Sequence, residues 1–263
     1  MKKRFLLPCL LLVTSLSACG GAGDFVSGGS AYKEGDAAKV DAALRAEKEN
    51  KVKQVTEKIT SDTSYDVNYN GQATKSSQKM SGSAKVDVDE KKIEGNFKVD
   101  ATSNGQSASQ NVNFKAQEVN GYFQYTEGEA EAAYLDLELD SLYEQATYQI
   151  YSWNYIMETD EIQSALSQAE SVGASIGRDF FNKMVIAGDP ATGTFDVGLG
   201  EKFSFTYQGA TFAFTKLKYS YKDCLLQKAV IGFDYEGSGS GNGISVSAKL
   251  NMNATYEFSY VMK

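Results

Sequence analysis

Ile244-Ser245-Val246-Ser247-Ala248-Lys249-Leu250-Asn251-Met252-Asn253-Ala254-Thr255-Tyr256-Glu257-Phe258-Ser259-Tyr260 is the stretch from which the rest of the chain can be read. Every even position is apolar or aromatic and every odd one polar, the period of a strand with one buried and one wet face. At about 3.3 Å per residue the run would reach roughly 56 Å, long for a flat strand. It must curve strongly or be two strands joined near Asn251.

The same period recurs upstream. Tyr65, Val67 and Tyr69 alternate with Asp66, Asn68 and Asn70, and Met80, Ala84, Val86 and Val88 with Ser81, Ser83, Lys85 and Asp87. Ile93, Phe97 and Val99, then Val112, Phe114 and Ala116, then Ala133, Leu135, Leu137 and Leu139 continue it. Turn signals lie beside these runs at Asn70-Gly71, residues 89–92, Asn104-Gly105 and Asn120-Gly121. Asn-Gly suits a two-residue hairpin because both central residues need positive φ. The pattern is a β-meander, and strands resume at residues 203–207, 211–221 and 225–235, followed by a Gly/Ser loop from Gly237 to Gly243.

Two regions break the period of two. Residues 36–60 read as a helix: Asp36 is a candidate N-cap, Val40, Leu44, Val52, Val55 and Ile59 share a face, and Glu47/Lys51 and Glu49/Lys53 stand four apart. A helical insertion at about 140–186 follows from Leu142, Tyr143, Ala146, Ile150, Trp153 and Met157, from Ile162, Ala165, Leu166, Ala169 and Val172, and from Phe180, Phe181, Met184 and Val185. The expected class is therefore α+β: a strongly curved antiparallel sheet, an unclosed half-barrel, with helices packed on its concave face. Gly82, Ala84, Gly95, Ala101, Ala108 and Ala116 fall on the apolar face, where small residues either admit a helix closely or leave room for a ligand.

The N-terminus reads as an export signal. Met1, Lys2, Lys3 and Arg4 precede an apolar run from Phe5 to Leu16, shorter than the about 20 residues a membrane helix needs. Leu16-Ser17-Ala18-Cys19 then resembles the lipobox of bacterial lipoproteins. That resemblance implies cleavage after residue 18 and a diacylglyceryl group on Cys19, an extracytoplasmic anchor that two or more acyl chains make lasting. The alternative is ordinary cleavage near Ala18. Residues 19–35, rich in glycine and serine, read as a flexible tether, and residues 36–263 as a single β-rich domain.

Composition removes many chemistries. The chain has no histidine, which excludes Ser-His-Asp and Cys-His nucleophile systems and histidine metal sites. Of three cysteines, Cys9 lies in the signal and Cys19 in the lipobox, so Cys224 has no partner for a disulfide and reads as a small buried residue opening a strand. There is no phosphate-binding loop and no nucleophile elbow. Asp136, Glu138 and Asp140 would share a strand's polar face, most simply a solvated edge, with an oxygen-ligand calcium site the only metal alternative. A net charge of −8 disfavours nucleic acid. No enzyme and no cofactor is expected.

Tyr148, Tyr151 and Tyr155, with Trp153, gather on and beside one predicted helix. Such amphipathic aromatics suit a site greasy at one end and wet at the other, or a seal between helix and sheet. The order of elements, an N-terminal helix, a long meander, a helical insertion after residues 122–139 and returning strands, resembles the lipoprotein-carrier superfamily. That group includes the periplasmic lipoprotein chaperone and the mycobacterial lipid-binding lipoproteins. The resemblance implies an unclosed barrel holding acyl chains between sheet and helices, and transfers no individual residue. The expected function is a membrane-anchored, non-enzymatic module for a lipid or other amphiphile, with Tyr148, Tyr151, Trp153 and Tyr155 as the candidate ligand contacts. A surface protein contacting envelope proteins or glycans is the alternative.

Overall fold

The structure, a computed structural model, describes residues 24–33, 36, 52–87, 89–119, 122–127, 133–135, 179, 180, 182–207, 209–241 and 243–263. Their strands are β1 (Ser30–Ala31), β2 (Val52–Tyr69), β3 (Gln72–Asp87), β4 (Lys92–Ser103), β5 (Gln106–Val119), β6 (Tyr122–Glu127) and β7 (Ala133–Leu135). After them come β8 (Met184–Asp189), β9 (Thr194–Leu199), β10 (Phe203–Tyr207), β11 (Ala210–Lys222), β12 (Leu225–Gly241) and β13 (Ile244–Met262). All belong to one open antiparallel sheet in the order β1-β8-β9-β11-β12-β13-β2-β3-β4-β5-β6-β7, with β10 beside β11.

This corrects the α+β expectation: the described residues are nearly all strand, with helical backbone only at Asp36, at Asp179, Phe180 and Asn182, and in a 3-10 turn at Pro190–Thr192. The predicted helix over 36–60 keeps a helical backbone at Asp36 but fails over residues 52–60, which are the first half of β2. From Val55 on the buried positions are Val55, Glu57, Ile59, Ser61 and Thr63, a strict alternation. Three of those five are polar. The apolar residues left visible, Val52, Val55 and Ile59, then stand three and four apart and imitate a helix. The third predicted helix holds at Asp179, Phe180 and Asn182 but ends sooner than expected: Met184 opens β8, and Met184 and Ile186 are the inward positions of a strand. Residues 140–178 lie outside the described residues.

β13 is one strand with no break at Asn251. It pairs with β12 in a single register from Gly241 opposite Ile244 to Lys228 opposite Glu257. The partner of its first residues is the Gly/Ser stretch expected as a loop, since a backbone ladder needs no side chains from Gly237–Gly241. The two Asn-Gly turns form as expected, with φ of 50° and 84° at Asn70 and Gly71 and 49° and 82° at Asn104 and Gly105. Asp223 and Cys224 make a third such turn without glycine, at φ of 52° and 62°. Cys224 is thus a half-buried turn residue and does not open a strand.

One face of the sheet carries the core. Cross-strand rows such as Val55, Val86 and Ile93, or Val197, Tyr219, Ala229 and Tyr256, join it across most of the sheet. Two of the small residues on this face have a use the sequence did not suggest. A Cβ at Gly82 would come 2.7 Å from the Phe97 ring, and one at Gly95 would overlap the Phe114 ring. The glycines seat these two rings, which stack at 6.0 Å and 7°.

Residues 24–33, expected as tether, are stitched to the sheet. Asp24 O accepts from Leu217 N, Val26 N donates to Leu199 O, and Tyr32 N donates to Met184 O. Ser30 and Ala31 pair with Ile186 and Val185 on β8, while Val26 and Tyr32 are buried. Glycine serves close approach here: Gly28 turns at φ 71°, and a Cβ at Gly29 would overlap the Ile186 carbonyl.

Candidate functional site

The sheet is longer than its core. Along β13 the inward residues Met252, Ala254, Tyr256 and Phe258 are buried, while Leu250, Ala248 and Val246 are half-buried and Ile244 is exposed. On β2 the same transition separates Thr63, 7% exposed, from Tyr65, 46% exposed. The apolar face therefore runs out of the core toward the hairpin tips without changing sides.

β13 and β2 pair from Phe258 opposite Glu57 to Met262 opposite Val52. Beyond that ladder the two strands run on toward the β2–β3 turn and the start of β13, and Tyr65 and Leu250 line one groove. At that far end Asn70 N donates to Ser245 O at 2.8 Å, and Ser245 N donates to Asn70 Oδ1 at 2.7 Å, clamping the two tips. Between ladder and clamp lies a groove of about 600 Å³. Tyr65, Leu250 and Tyr235 form its apolar wall, Leu250 and Tyr235 being a cross-strand pair.

Its rim is charged and internally paired. Lys75 Nζ lies 3.0 Å from Asp66, Lys249 Nζ lies 2.6 Å from Glu236, and Asn251 donates to Asp234. Because these pairs are exposed, they contribute little stability. They surround the apolar wall with polar groups, of which the two lysine–carboxylate pairs are neutralised and Asp234 keeps its charge. A second hollow of about 800 Å³ shares Tyr65, Ser76, Ser77 and Thr102 with the groove and continues over Gln78, Ser103, Gln106 and Ser107. Hydroxyls and amides dominate its lining.

Within the core, Glu57 is the one buried carboxyl among the described residues, 8% exposed, in a row with Phe258 and Ala84. Burial alone pushes its pKa from 4.5 up to about 8, leaving it largely protonated at neutral pH. Burial likewise raises the phenols of Tyr219 and Tyr221, so both stay neutral, and Tyr260 donates to the Leu226 carbonyl at 2.6 Å. These groups are held in the core and none faces the groove.

Tyr148, Tyr151, Trp153 and Tyr155, the predicted ligand contacts, lie outside the described residues, as do Cys19 and the Asp136, Glu138 and Asp140 series. Among the described residues no three acidic or cysteine side chains gather closely enough to hold a metal ion. Sequence reading placed Tyr65 and Leu250 on the correct face but gave no reason to join them. The signal that does so is the shared register of the Asn70-Gly71 turn with the start of β13, a long-range pairing that periodicity does not encode. Glu57 was missed because the helical reading left its position without a buried neighbour.

No protein-family model and no curated protein matches the chain. Among solved structures, a β-barrel-like protein of a domain of unknown function from Brucella abortus aligns at 10% identity over 80% of this chain and 99% of that one, with a TM-score of 0.21. LprF from Mycobacterium bovis aligns at 10% identity over 84% of this chain and 93% of that one, with a TM-score of 0.23. At such scores the likeness assigns neither fold nor function.

Proposed function

We propose that this chain is a lipid-anchored, non-enzymatic binding protein of the cell envelope and that the groove between β2 and β13 takes a lipid or other amphiphile. The observation that carries this reading is the continuous apolar face, buried at Met252 and open at Leu250 and Tyr65, ending in a groove of about 600 Å³ rimmed by paired charges. Several hundred Å³ is the usual size of a small-molecule site. A ligand apolar along one side and polar at one end matches that lining. The chain's lack of histidine and its lipobox support the non-enzymatic and anchored parts.

A second reading, contact with envelope glycans, is favoured by the neighbouring hollow of hydroxyls and amides. Titration of the mature protein with palmitoyl lysophosphatidylcholine separates the two. On the amphiphile reading Trp153, the single tryptophan, changes emission saturably, native mass spectra retain a bound species, and Leu250→Asp weakens both. Absence of both signals from the unaltered protein, with retention of a soluble envelope oligosaccharide that Gln78→Ala abolishes, would replace the amphiphile reading by the glycan one.

A further inference from the structure

We infer that the β8–β9 edge of the domain lies against the lipid headgroups, held there by a leader of only five residues, Cys19 to Gly23. The inference rests on acylation at Cys19. Its structural basis is where the fixed chain begins. Asp24 is bonded through its carbonyl to Leu217 and through its carboxylate to Lys216 Nζ at 3.4 Å, and Val26 is 4% exposed. From Asp24 to Tyr32 the backbone is hydrogen-bonded in turn to Leu217, to Leu199 and to β8.

Five residues span at most about 17 Å when fully extended. The Leu217 backbone therefore stays within roughly that distance of the Cys19 backbone, and free tumbling on a seventeen-residue tether is excluded. The nearest surface is the open end of the β8–β9 hairpin, where Gly200 N donates to Lys183 O and the N-terminal segment crosses from Leu199 to Met184. Its exposed side chains, Ser30, Lys33, Asp179, Lys183, Glu201 and Lys202, are all polar, and Lys183 is paired with Glu201. They suit a layer of zwitterionic headgroups and offer nothing to insert among acyl chains. The β12–β13 tip is remote: Ser240 stands nine residues along β12 from Ile231, the partner of Leu217, or about 30 Å.

The test uses the full, acylated protein in phosphatidylcholine vesicles carrying a nitroxide on the headgroup. A fluorophore is attached to a single cysteine replacing Ser30 or Ser240 in a Cys224→Ser background. Quenching is expected to be several-fold stronger at position 30 than at position 240. Insertion of about twenty Gly/Ser residues between Gly23 and Asp24, a leader whose mean span is about 25 Å, should bring the two closer together. Equal quenching in a protein that does incorporate fatty acid overturns the edge contact and leaves the anchor standing. Quenching at position 30 that survives the insertion overturns the leader as its cause. A protein that incorporates no fatty acid overturns the anchor, and this inference with it.

Discussion

Glu57 shows how much one side chain can set against its surroundings. Its carboxyl has a pKa of about 8 in the folded chain and returns to about 4.5 on unfolding. Between those values the folded state holds a proton that the unfolded state releases, so stability falls as pH rises through the window. The contribution is undiminished below the unfolded value, fades between about 4.5 and 8, and at higher pH amounts to a loss on the order of 5 kcal/mol. Glu57→Gln keeps the shape and cannot ionise. In urea titrations the variant should match the parent near pH 5 and exceed it near pH 9, with a flatter dependence between. An unchanged pH slope would show that Glu57 ionises freely where it stands.

At the level of elements, the clamp between the β2–β3 turn and the start of β13 closes the groove. Asn70 supplies both a side-chain acceptor for Ser245 N and a residue type that tolerates φ of 50°. Asn70→Ala should therefore cost about 1–2 kcal/mol, and exchange of the Ser245 amide should accelerate before that of any amide in the Phe258 to Met262 ladder. Uniform acceleration would mean that the groove's far end is not a separate unit. What could be read from sequence divides along the same lines. The meander, both described Asn-Gly turns and the outward and inward faces of β13 were legible because each depends on neighbours along the chain. The identity of β2 was not, because Glu57, Ser61 and Thr63 occupy buried positions with polar side chains. The pairing of Gly237–Gly241 was hidden because nothing but backbone marks it. Gly28 and Gly29 read as flexibility, whereas here glycine admits the chain against β8. The groove was illegible for a further reason: residues 64–105 supply one side of its lining and residues 234–251 the other, far apart in sequence.

Over the whole molecule, β13 is the seam. It pairs with β12 on one side and with β2 on the other, so among the described residues it alone joins the strands after residue 183 to the meander before residue 136 in the sheet order. Removal of residues 244–263 should leave two fragments of sheet with no shared ladder. The expected result is loss of a single cooperative urea transition, monitored by circular dichroism. A truncated chain that still unfolds in one transition of normal steepness would show that the halves cohere without it. The seam also has a consequence in time. Proteins are made from the N-terminus, and the strand that completes this sheet is the last of the thirteen described strands to arrive. Until it does, the Val52 to Glu57 edge of the meander waits with its ladder groups open, the condition in which sheets recruit wrong neighbours. The order of synthesis thus makes the nascent chain vulnerable for nearly its whole length, and a folding helper that shields the β2 edge would act before β13 emerges.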